Sequence, residues 1–344
     1  MSYLTLLRAF LHQSYPPASK FAEFDVPDLS GRIIVVTGGN TGIGKEITRA
    51  VLEHNAKVYI ACRSEEKAQA VIKELKEKTG KTELYFLRLD LSNLHAIKKA
   101  VDELKSKESK LDILFNNAGI MAPPVEQITT DGFDMTFGTN VVGPFLFTKL
   151  LLPLLRTAAA AAADPECRGA RVVHTSSLGH MVAPQECIAW ETLKPGAEGG
   201  AGDKKRRNLG PDKLYYQSKC ERVAGGKGVI IVAKEFARRY GTDGIISTSV
   251  HPGTIHSELG RHWPVMQRLT TNLFVKLRPT PMGAITQLYA GTAPEGKNLN
   301  GEYLIPWARV GKPREDVLDE KLGEKLWNWL EEQTSMSTPF LPIA

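Results

Sequence analysis

The sequence predicts an α/β protein built on a single doubly wound parallel sheet with helices on both faces. Short β-branched runs alternate with helical stretches from Ile33 to Ile305, which is typical of repeated strand–helix units. A glycine cluster directly follows the first run, where a sheet of this kind turns into its first helix. The chain of 344 residues is long enough for one large domain or two small ones, and the unbroken alternation favours one.

The first predicted element is a strand that ends in a glycine turn. Ile33 to Val36 is a β-branched run, and Ile43 to Glu53 has the spacing of a helix. The turn between them can bind an anion, because free backbone N–H groups and the helix dipole point at it. Gly38 permits the tight turn, Gly42 lets the backbone approach a phosphate, and Gly44 lets the helix pack closely. The candidate phosphate-binding residues are Gly38, Asn40, Thr41, Gly42, Ile43 and Gly44.

The second predicted strand, Lys57 to Cys62, ends at Arg63. A carboxylate near this position would bind a ribose 2′-hydroxyl, whereas an arginine suits a 2′-phosphate. The stretch from Val58 to Ser64 contains no acidic residue. We therefore predict NADP(H) rather than NAD(H), with Asn40 and Ser64 as helpers; the alternative is that Arg63 is a solvated surface charge.

Tyr215 and Lys219 are separated by one helical turn and so lie on the same helix face. A free tyrosine has a pKa near 10 and is a poor base at neutral pH. The lysine charge is expected to stabilise the phenolate and lower the pKa of Tyr215. Tyr215 would then exchange a proton with a carbonyl or alcohol oxygen. Tyr216 has no lysine four residues on and is predicted to form a pocket wall.

Taken in order, these motifs resemble those of the short-chain dehydrogenase/reductase family. The Thr-Gly-x-x-x-Gly-x-Gly spacing at Thr37 is the family's signature and differs from the Gly-x-Gly-x-x-Gly of most dinucleotide folds. The resemblance extends from Gly31 to Ile305 and is strongest to the retinol dehydrogenase and WW-domain oxidoreductase branch. The further motifs are Asp90-Leu91, Asn116-Asn117-Ala118-Gly119, Asn140 within Gly138 to Gly143, Ser176-Ser177, Tyr215 with Lys219, and Pro252-Gly253.

The resemblance implies a Rossmann-like fold and a role for each motif. Ser177 would orient the substrate oxygen, Asn140 would hold a water, and Lys219 would contact the nicotinamide ribose. The implied catalytic residues are Ser177, Tyr215, Lys219 and Asn140. The implied cofactor contacts are Asp90 and Leu91 at the adenine, Asn116, Ala118 and Gly119 at the adenosine ribose, Tyr215 and Lys219, and Pro252, Gly253 and Ile255 at the nicotinamide.

The expected activity is therefore NADP(H)-dependent reduction of a lipophilic aldehyde or ketone, or oxidation of the corresponding alcohol. Reduction of an activated carbon–carbon double bond remains open, as does an NADP(H)-binding sensor or scaffold without turnover. The four cysteines lack paired spacing and the eight histidines lack ligand spacing. We therefore expect a reduced cytoplasmic protein without a metal site.

Two insertions set the chain apart from the family. Ser177 and Tyr215 are further apart than is usual, so residues 181–214 should form a partly mobile flap, where Trp190 could cover a substrate. The glycine-rich segment 220–228 would either add about two helical turns and keep the register of the catalytic helix, or interrupt that helix as a loop; we expect reduced activity or stability. We divide the chain into an N-terminal extension (1–30), a core with both insertions (31–305) and a C-terminal helical tail (306–344).

The remaining segments bear on partners. The formal net charge is +6, and the basic run Lys204 to Arg207 is expected in an exposed loop. No aromatic residue interleaves with this run, which argues against nucleic-acid binding. The apolar stretch from Leu4 to Leu11 is too short to span a bilayer, and two interpretations stay open for it: packing on the domain, or weak membrane contact. The apolar segment from Thr254 to Pro279 could be core or a substrate lid, Glu315 to Leu330 is a predicted amphipathic helix, and the family resemblance suggests a homodimer.

Overall fold

The described part of the chain forms a twisted sheet of eight strands. The computed structural model describes residues 12–13, 15–161, 169–177, 188–219, 228–257, 259–260, 277–313 and 319–335. The strands are β1 (Ile33–Thr37), β2 (Lys57–Cys62), β3 (Leu84–Arg88), β4 (Ile113–Asn116), β5 (Ala170–Thr175), β6 (Ile245–Val250), β7 (Tyr303–Ile305) and β8 (Arg309–Gly311). Their spatial order is β3-β2-β1-β4-β5-β6-β7-β8. Neighbours are parallel except for β7 and β8, which are antiparallel.

Helices cover both faces of this sheet, as the sequence predicted. Their bounds are α1 (Gly42–Glu53), α2 (Glu65–Thr79), α3 (Leu94–Lys107), α4 (Met135–Ala161), α5 (Trp190–Leu193), α6 (Ala201–Lys219), α7 (Gly228–Tyr240), α8 (Thr280–Thr292) and α9 (Glu320–Ser335). Helices α1, α2 and α8 bury apolar side chains against one face. Helices α3, α4, α7 and α9 do so against the other. The two-sided core explains why the strands read as continuous apolar runs.

Strand β1 lies at the centre and shows the packing on both faces directly. Ile33 and Val35 belong to the core on the α4 side, while Ile34 and Val36 belong to the core on the α1 side. All five residues of the strand are buried. Because β1 pairs with β2 on one edge and β4 on the other, the glycine turn that follows it lies where the strand order reverses, the place where open α/β sheets bind ligands.

Helix α4 is the most apolar helix of the described chain. By length and composition it could cross a membrane, but 72% of its apolar window is buried inside the protein. It is a core helix of the domain. Residues Gly138–Val142 within it are π-helical, and such bulges often occur at functional sites.

The prediction of an exposed loop for the basic run at Lys204 to Arg207 is wrong. The run lies in the first part of α6, before a kink at Gly210. The Arg206 side chain is only 2% exposed; its Nη2 lies 3.0 Å from Asp203 Oδ1 and its Nη1 lies 3.8 Å from Asp134 Oδ2. Buried carboxylates therefore hold this arginine inside the protein and tie α6 to the start of α4.

The prediction that Trp190 covers a substrate is also wrong. Its ring packs edge-on against Trp329 of α9, with ring centroids 6.1 Å apart, and Lys325 Nζ lies 4.6 Å from the Trp190 ring centroid. The described part of the long insertion is thus fastened to the C-terminal helix. That helix ends at Ser335, five residues beyond the predicted Leu330.

Several predictions concern residues outside the described part of the chain. They include the apolar N-terminal stretch from Leu4 to Leu11, the first part of the flap (181–187) and segment 220–227. The cysteines Cys167, Cys187 and Cys220 and the apolar segment 261–276 belong to the same group. Cys62 is described and is buried with a free thiol.

Arg206→Met should destabilise the protein, because it leaves the carboxylate of Asp134 buried without its cation. We expect a loss of about 3 kcal/mol in the free energy of unfolding, measured by urea denaturation. Arg207→Met is the matched control: the Arg207 side chain is 36% exposed and should cost much less. Equal losses for the two variants would contradict a structural role for the buried arginine.

Candidate active site

The candidate site lies along the carboxyl edge of four adjacent parallel strands. The strands β1, β4, β5 and β6 end at Thr37, Asn116, Thr175 and Val250, and the predicted motifs begin at or directly after these residues. Because parallel strands all end on the same edge, motifs that are distant in sequence converge there. The structure thus places the glycine turn, Asn117 to Gly119, Ser176-Ser177 and Pro252-Gly253 on one edge.

The glycine turn has the geometry of an anion cradle. Gly38 and Gly42 have φ values of 66° and 54°, a conformation that favours glycine. A Cβ atom on Gly44 would lie 2.3 Å from the Gly38 carbonyl oxygen, so only glycine fits. The Thr41 side chain makes no capping bond at the start of α1, which leaves the first-turn N–H groups to another acceptor. The turn therefore fits a dinucleotide pyrophosphate.

The turn after β4 is fastened to the glycine turn. The Ala118 backbone N–H donates to Thr37 Oγ1 at 2.9 Å, and Asn117 Nδ2 donates to the Thr37 carbonyl at 3.0 Å. A Cβ atom on Gly38 would lie 3.2 Å from Ala118 Cα. These contacts hold the two turns together as one surface.

Helix α6 brings Tyr215 and Lys219 to the end of β5. Lys219 Nζ donates to the Thr175 carbonyl at 2.7 Å, and the Ser176 hydroxyl donates to the Lys219 carbonyl at 3.1 Å. The Tyr215 phenol is hydrogen-bonded to the side chain of Ser177. Three of the predicted catalytic residues therefore lie together, and Ser176 connects the end of β5 to α6.

The catalytic cluster lies next to the turn that contacts the glycine loop. A Cβ atom on Gly119 would lie 3.4 Å from Lys219 Nζ and 3.1 Å from Asn140 Oδ1. Lys219, Asn140 and Gly119 are thus neighbours, and Gly119 leaves room for both side chains. The turn after β4 therefore contacts the glycine turn on one side and Lys219 of the Tyr-x-x-x-Lys motif on the other.

Asn140, in the π-helical part of α4, connects this turn to α6. Its Oδ1 accepts from the Ile120 N–H at 2.9 Å, and its Nδ2 donates to the Ile120 carbonyl at 3.0 Å and to Ser218 Oγ at 2.8 Å. The Ser218 hydroxyl donates to the Tyr215 carbonyl at 2.8 Å. Sequence reasoning missed Ser218, which lies on the same helix turn as Tyr215 and could have been found from that spacing.

The electrostatics of the pair differ from the prediction. Burial raises the pKa of Tyr215 to about 12; the hydrogen bond from Ser177 lowers this pKa and the nearby Tyr216 raises it. Burial also lowers the pKa of Lys219 to about 8. The predicted lowering of the Tyr215 pKa is therefore wrong for the polypeptide, because desolvation of the phenolate outweighs the hydrogen bond from Ser177.

Two guanidinium groups lie near the end of β2. Burial raises the pKa of the Cys62 thiol to about 11, while the Ser64 backbone and the charges of Arg63 and Arg88 lower this pKa. Arg88 ends β3 and is the register partner of Cys62, a cross-strand relation that the sequence motifs do not show. Further along, Asp90 Oδ1 accepts from the Ser92 N–H and hydroxyl, so it orders the turn after β3.

The family resemblance placed Asn116 at the adenosine ribose. The structure contradicts this placement for the Asn116 side chain. Asn116 Nδ2 donates to Thr148 Oγ1 at 2.8 Å and lies 3.4 Å from His174 Nδ1. The side chain is 5% exposed and points into the core rather than to the cleft. Leu91 is likewise buried in the core.

The loop after β6 lies beside the glycine turn. A Cβ atom on Gly283 would lie 2.9 Å from both Ile43 and Ile255, so the glycine turn and this loop meet over α8. Pro252 is buried. Gly253 has a φ value of 90° and packs against Trp307: a Cβ atom on Gly253 would lie 2.8 Å from the Trp307 ring. The expected neighbours of the nicotinamide therefore lie beside the phosphate-binding turn.

Comparison with known proteins agrees with this arrangement. Residues 32–199 match the model of the short chain dehydrogenase family. The chain is 46% identical to a short-chain dehydrogenase/reductase of Armillaria gallica over 94% of its own length and 97% of that protein. It is 33% identical to retinol dehydrogenase 11 of Mus musculus, covering 87% and 85% of the two chains. A solved structure of the Pseudomonas aeruginosa RhlG/NADP active-site complex is 26% identical, with a TM-score of 0.55 over 81% of this chain and 95% of that one.

The fold and the site together define the class of protein. The chain belongs to the short-chain dehydrogenase/reductase family and is an oxidoreductase of that family. The family resemblance predicted from the ordered motifs is confirmed.

His174, below the site in β5, should make the protein sensitive to acid. Burial and, to a smaller extent, the Lys219 charge together lower the pKa of His174 to about 3; the unfolded chain has a value near 6.5. Between these values the unfolded state binds a proton that the folded state does not, so this stabilisation is present above about pH 6.5 and is lost as the pH falls towards 3.

His174→Gln removes this titration, so the free energy of unfolding should fall less steeply between about pH 7.5 and about pH 5.5 (one unit either side of the reference pKa) than in the unmodified protein. Urea denaturation at each pH measures the slope. His95→Gln, at an exposed position on α3, is the control and should leave the slope unchanged. Parallel slopes for His174→Gln and the unmodified protein would contradict this account.

Proposed function

We propose that this protein is an NADP(H)-dependent oxidoreductase that reduces a lipophilic aldehyde or ketone, or oxidises the corresponding alcohol, with Tyr215 as acid and base. One observation carries the proposal: Tyr215, hydrogen-bonded to Ser177, and Lys219, hydrogen-bonded to the Thr175 carbonyl, lie together at the end of β5, beside the Gly119 turn that contacts the glycine loop. Neither motif alone would suffice. Their shared cleft joins a site for a dinucleotide to a site for proton transfer.

Each residue of the cluster has a separate task in carbonyl reduction. The bound NADP(H) supplies the hydride. Because the pKa of Tyr215 is about 12, its phenol is protonated at neutral pH and can donate to the carbonyl oxygen as negative charge develops there. Ser177, already bonded to that phenol, would bind the same oxygen and orient it.

Lys219 stabilises the charge that Tyr215 develops when it gives up its proton. With a pKa of about 8, its amine carries a positive charge at neutral pH. An ammonium has three donors, and the bond to Thr175 leaves donors for the nicotinamide ribose. Asn140, bonded on both sides of the cleft, would hold the water through which Lys219 regains a proton from solvent.

The surroundings of Tyr215 support an apolar substrate. Met121 and Ala122 form a buried apolar cluster with Tyr215, and Tyr216 and Leu259 pack against it. In this proposal Tyr216 forms a wall of the substrate pocket. A carbonyl compound with an apolar chain could keep that chain on this surface while its oxygen reaches the Ser177 and Tyr215 hydroxyls.

The choice of NADP(H) rests on the residues at the end of β2. Structures with this fold include complexes with NADP and with NADH, so the fold alone does not distinguish between the two cofactors. Arg63 and Arg88 provide two cations there, which suits a 2′-phosphate. The nearby carboxylate of Glu65 is paired with Arg88, which reduces its repulsion of a phosphate.

Tyr215→Phe should lower the rate of carbonyl reduction by at least about 100-fold, because it removes the proton donor but keeps the ring. NADPH oxidation with a panel of aliphatic and aromatic aldehydes and ketones measures the loss. Tyr216→Phe, which removes the neighbouring hydroxyl, should retain most of the turnover. NADPH binding without turnover on any substrate would contradict the proposed activity and favour the sensor hypothesis.

Arg63→Ala should weaken NADPH binding by about 10-fold or more, the expected effect of losing a charged hydrogen bond to the 2′-phosphate. NADH lacks that phosphate, so its affinity serves as the internal control and should change little. Fluorescence titration of both dinucleotides gives the ratio of dissociation constants. An equal loss for NADPH and NADH would show that Arg63 does not select the cofactor.

A further inference from the structure

We propose that Gln287 is a positioning residue that couples the phosphate-binding turn to the catalytic lysine. It lies on α8, on the sheet face opposite α6, and none of the family motifs includes it. Its side chain is fully buried, with 0% exposure. The inference rests on the proposed function, since it assigns Lys219 a catalytic role.

The Gln287 amide bridges two strand ends that carry different parts of the site. Its Oε1 accepts from the Thr175 hydroxyl at 3.0 Å, and its Nε2 donates to Asn117 Oδ1 at 3.5 Å. Thr175 ends β5, and Asn117 follows β4. One buried amide therefore spans the turn at the cofactor side and the strand end at the catalytic side.

The donor and the acceptor of each hydrogen bond in this series follow from the chemistry of the groups. The Thr37 carbonyl can only accept, so the Asn117 side chain must present Nδ2 to it, at 3.0 Å. Asn117 Oδ1 then faces Gln287 and requires a donor, which orients the Gln287 amide with Nε2 towards it. Gln287 Oε1 is left facing Thr175, whose hydroxyl must donate. The series of hydrogen bonds that runs from Thr37 through Asn117 and Gln287 to Thr175 thus has a single consistent pattern of donors and acceptors.

Thr175 passes this constraint to Lys219. Its hydroxyl is held by Gln287, while its carbonyl accepts from Lys219 Nζ at 2.7 Å. At the other end, Asn117 approaches the glycine turn closely: a Cβ atom on Gly44 would lie 2.5 Å from Asn117 Nδ2. A shift of the phosphate-binding turn would therefore move the carbonyl that fixes the lysine.

Replacing Gln287 removes the central member of this series of hydrogen bonds. Gln287→Met keeps the length and volume of the side chain but offers no donor to Asn117 and no acceptor to Thr175, which leaves buried polar groups unpaired. Thr175→Val removes the hydroxyl and keeps the carbonyl that binds Lys219. Thr175→Ser keeps both and should rescue the link. The three variants separate the hydrogen bond from the packing.

The experiment measures the NADPH dissociation constant by fluorescence titration, kcat and KM for a carbonyl substrate, and the free energy of unfolding. We expect Gln287→Met and Thr175→Val each to raise the dissociation constant and lower kcat by about 10-fold, with little change in substrate KM. Thr175→Ser should stay close to the unmodified protein. The double variant Gln287→Met with Thr175→Val should lose less than the product of the single losses, because both interrupt one chain.

Thr292→Val is the matched control on the same helix. Its hydroxyl is also buried but donates only within α8, to the Leu288 carbonyl at 2.7 Å, so it should alter stability without altering the dissociation constant or kcat. The proposal is overturned if Gln287→Met behaves like Thr292→Val, or if Thr175→Val retains full cofactor affinity and turnover. If the proposed activity itself fails, no variant turns over, yet the effect of Gln287→Met on NADPH affinity still tests the link.

Discussion

The site is centred on one hydrogen bond, from the buried ammonium of Lys219 to the carbonyl of Thr175. Burying a cation is costly unless it is paired or hydrogen-bonded, and the pKa of about 8 reflects that cost. The carbonyl belongs to the last residue of β5, in the middle of a parallel sheet. The position of the lysine is therefore tied to a strand that is paired on both sides, with β4 and with β6. Tyr215, one turn earlier on α6, takes its place from the same contact.

Burial at this edge determines the resting protonation state of the site. In a region of low dielectric, the Tyr215 phenol stays protonated and the buried His174 stays neutral, so the charge on Lys219 is not duplicated by a second cation. This state suits donation of a proton to a developing alkoxide. The opposite reaction, oxidation of an alcohol, requires extra stabilisation of the phenolate, which the ammonium of Lys219 is placed to provide.

Local sequence patterns predicted the strands, the helices and the motifs well, because each of these features depends on residues that are close in sequence. β2 has the predicted bounds, and the structure brings the glycine turn, Ser177, Tyr215 and Lys219 to one edge of the sheet. What failed depends on contacts between distant residues. Trp190 packs on Trp329 and Arg206 on Asp134, and no pattern around either residue indicates such a partner. In the sequence, Gln287 is a polar residue in a largely apolar helix, and only the fold shows that it contacts Thr175.

The central claim is that one cleft holds both the dinucleotide and the proton donor, and a crystal structure with bound NADP(H) tests it most directly. The account predicts the pyrophosphate over the first-turn N–H groups of α1, with the nicotinamide ribose within hydrogen-bond distance of Lys219 Nζ and the nicotinamide ring beside the Tyr215 hydroxyl. A dinucleotide bound with its nicotinamide end away from Ser177 and Tyr215 would contradict it.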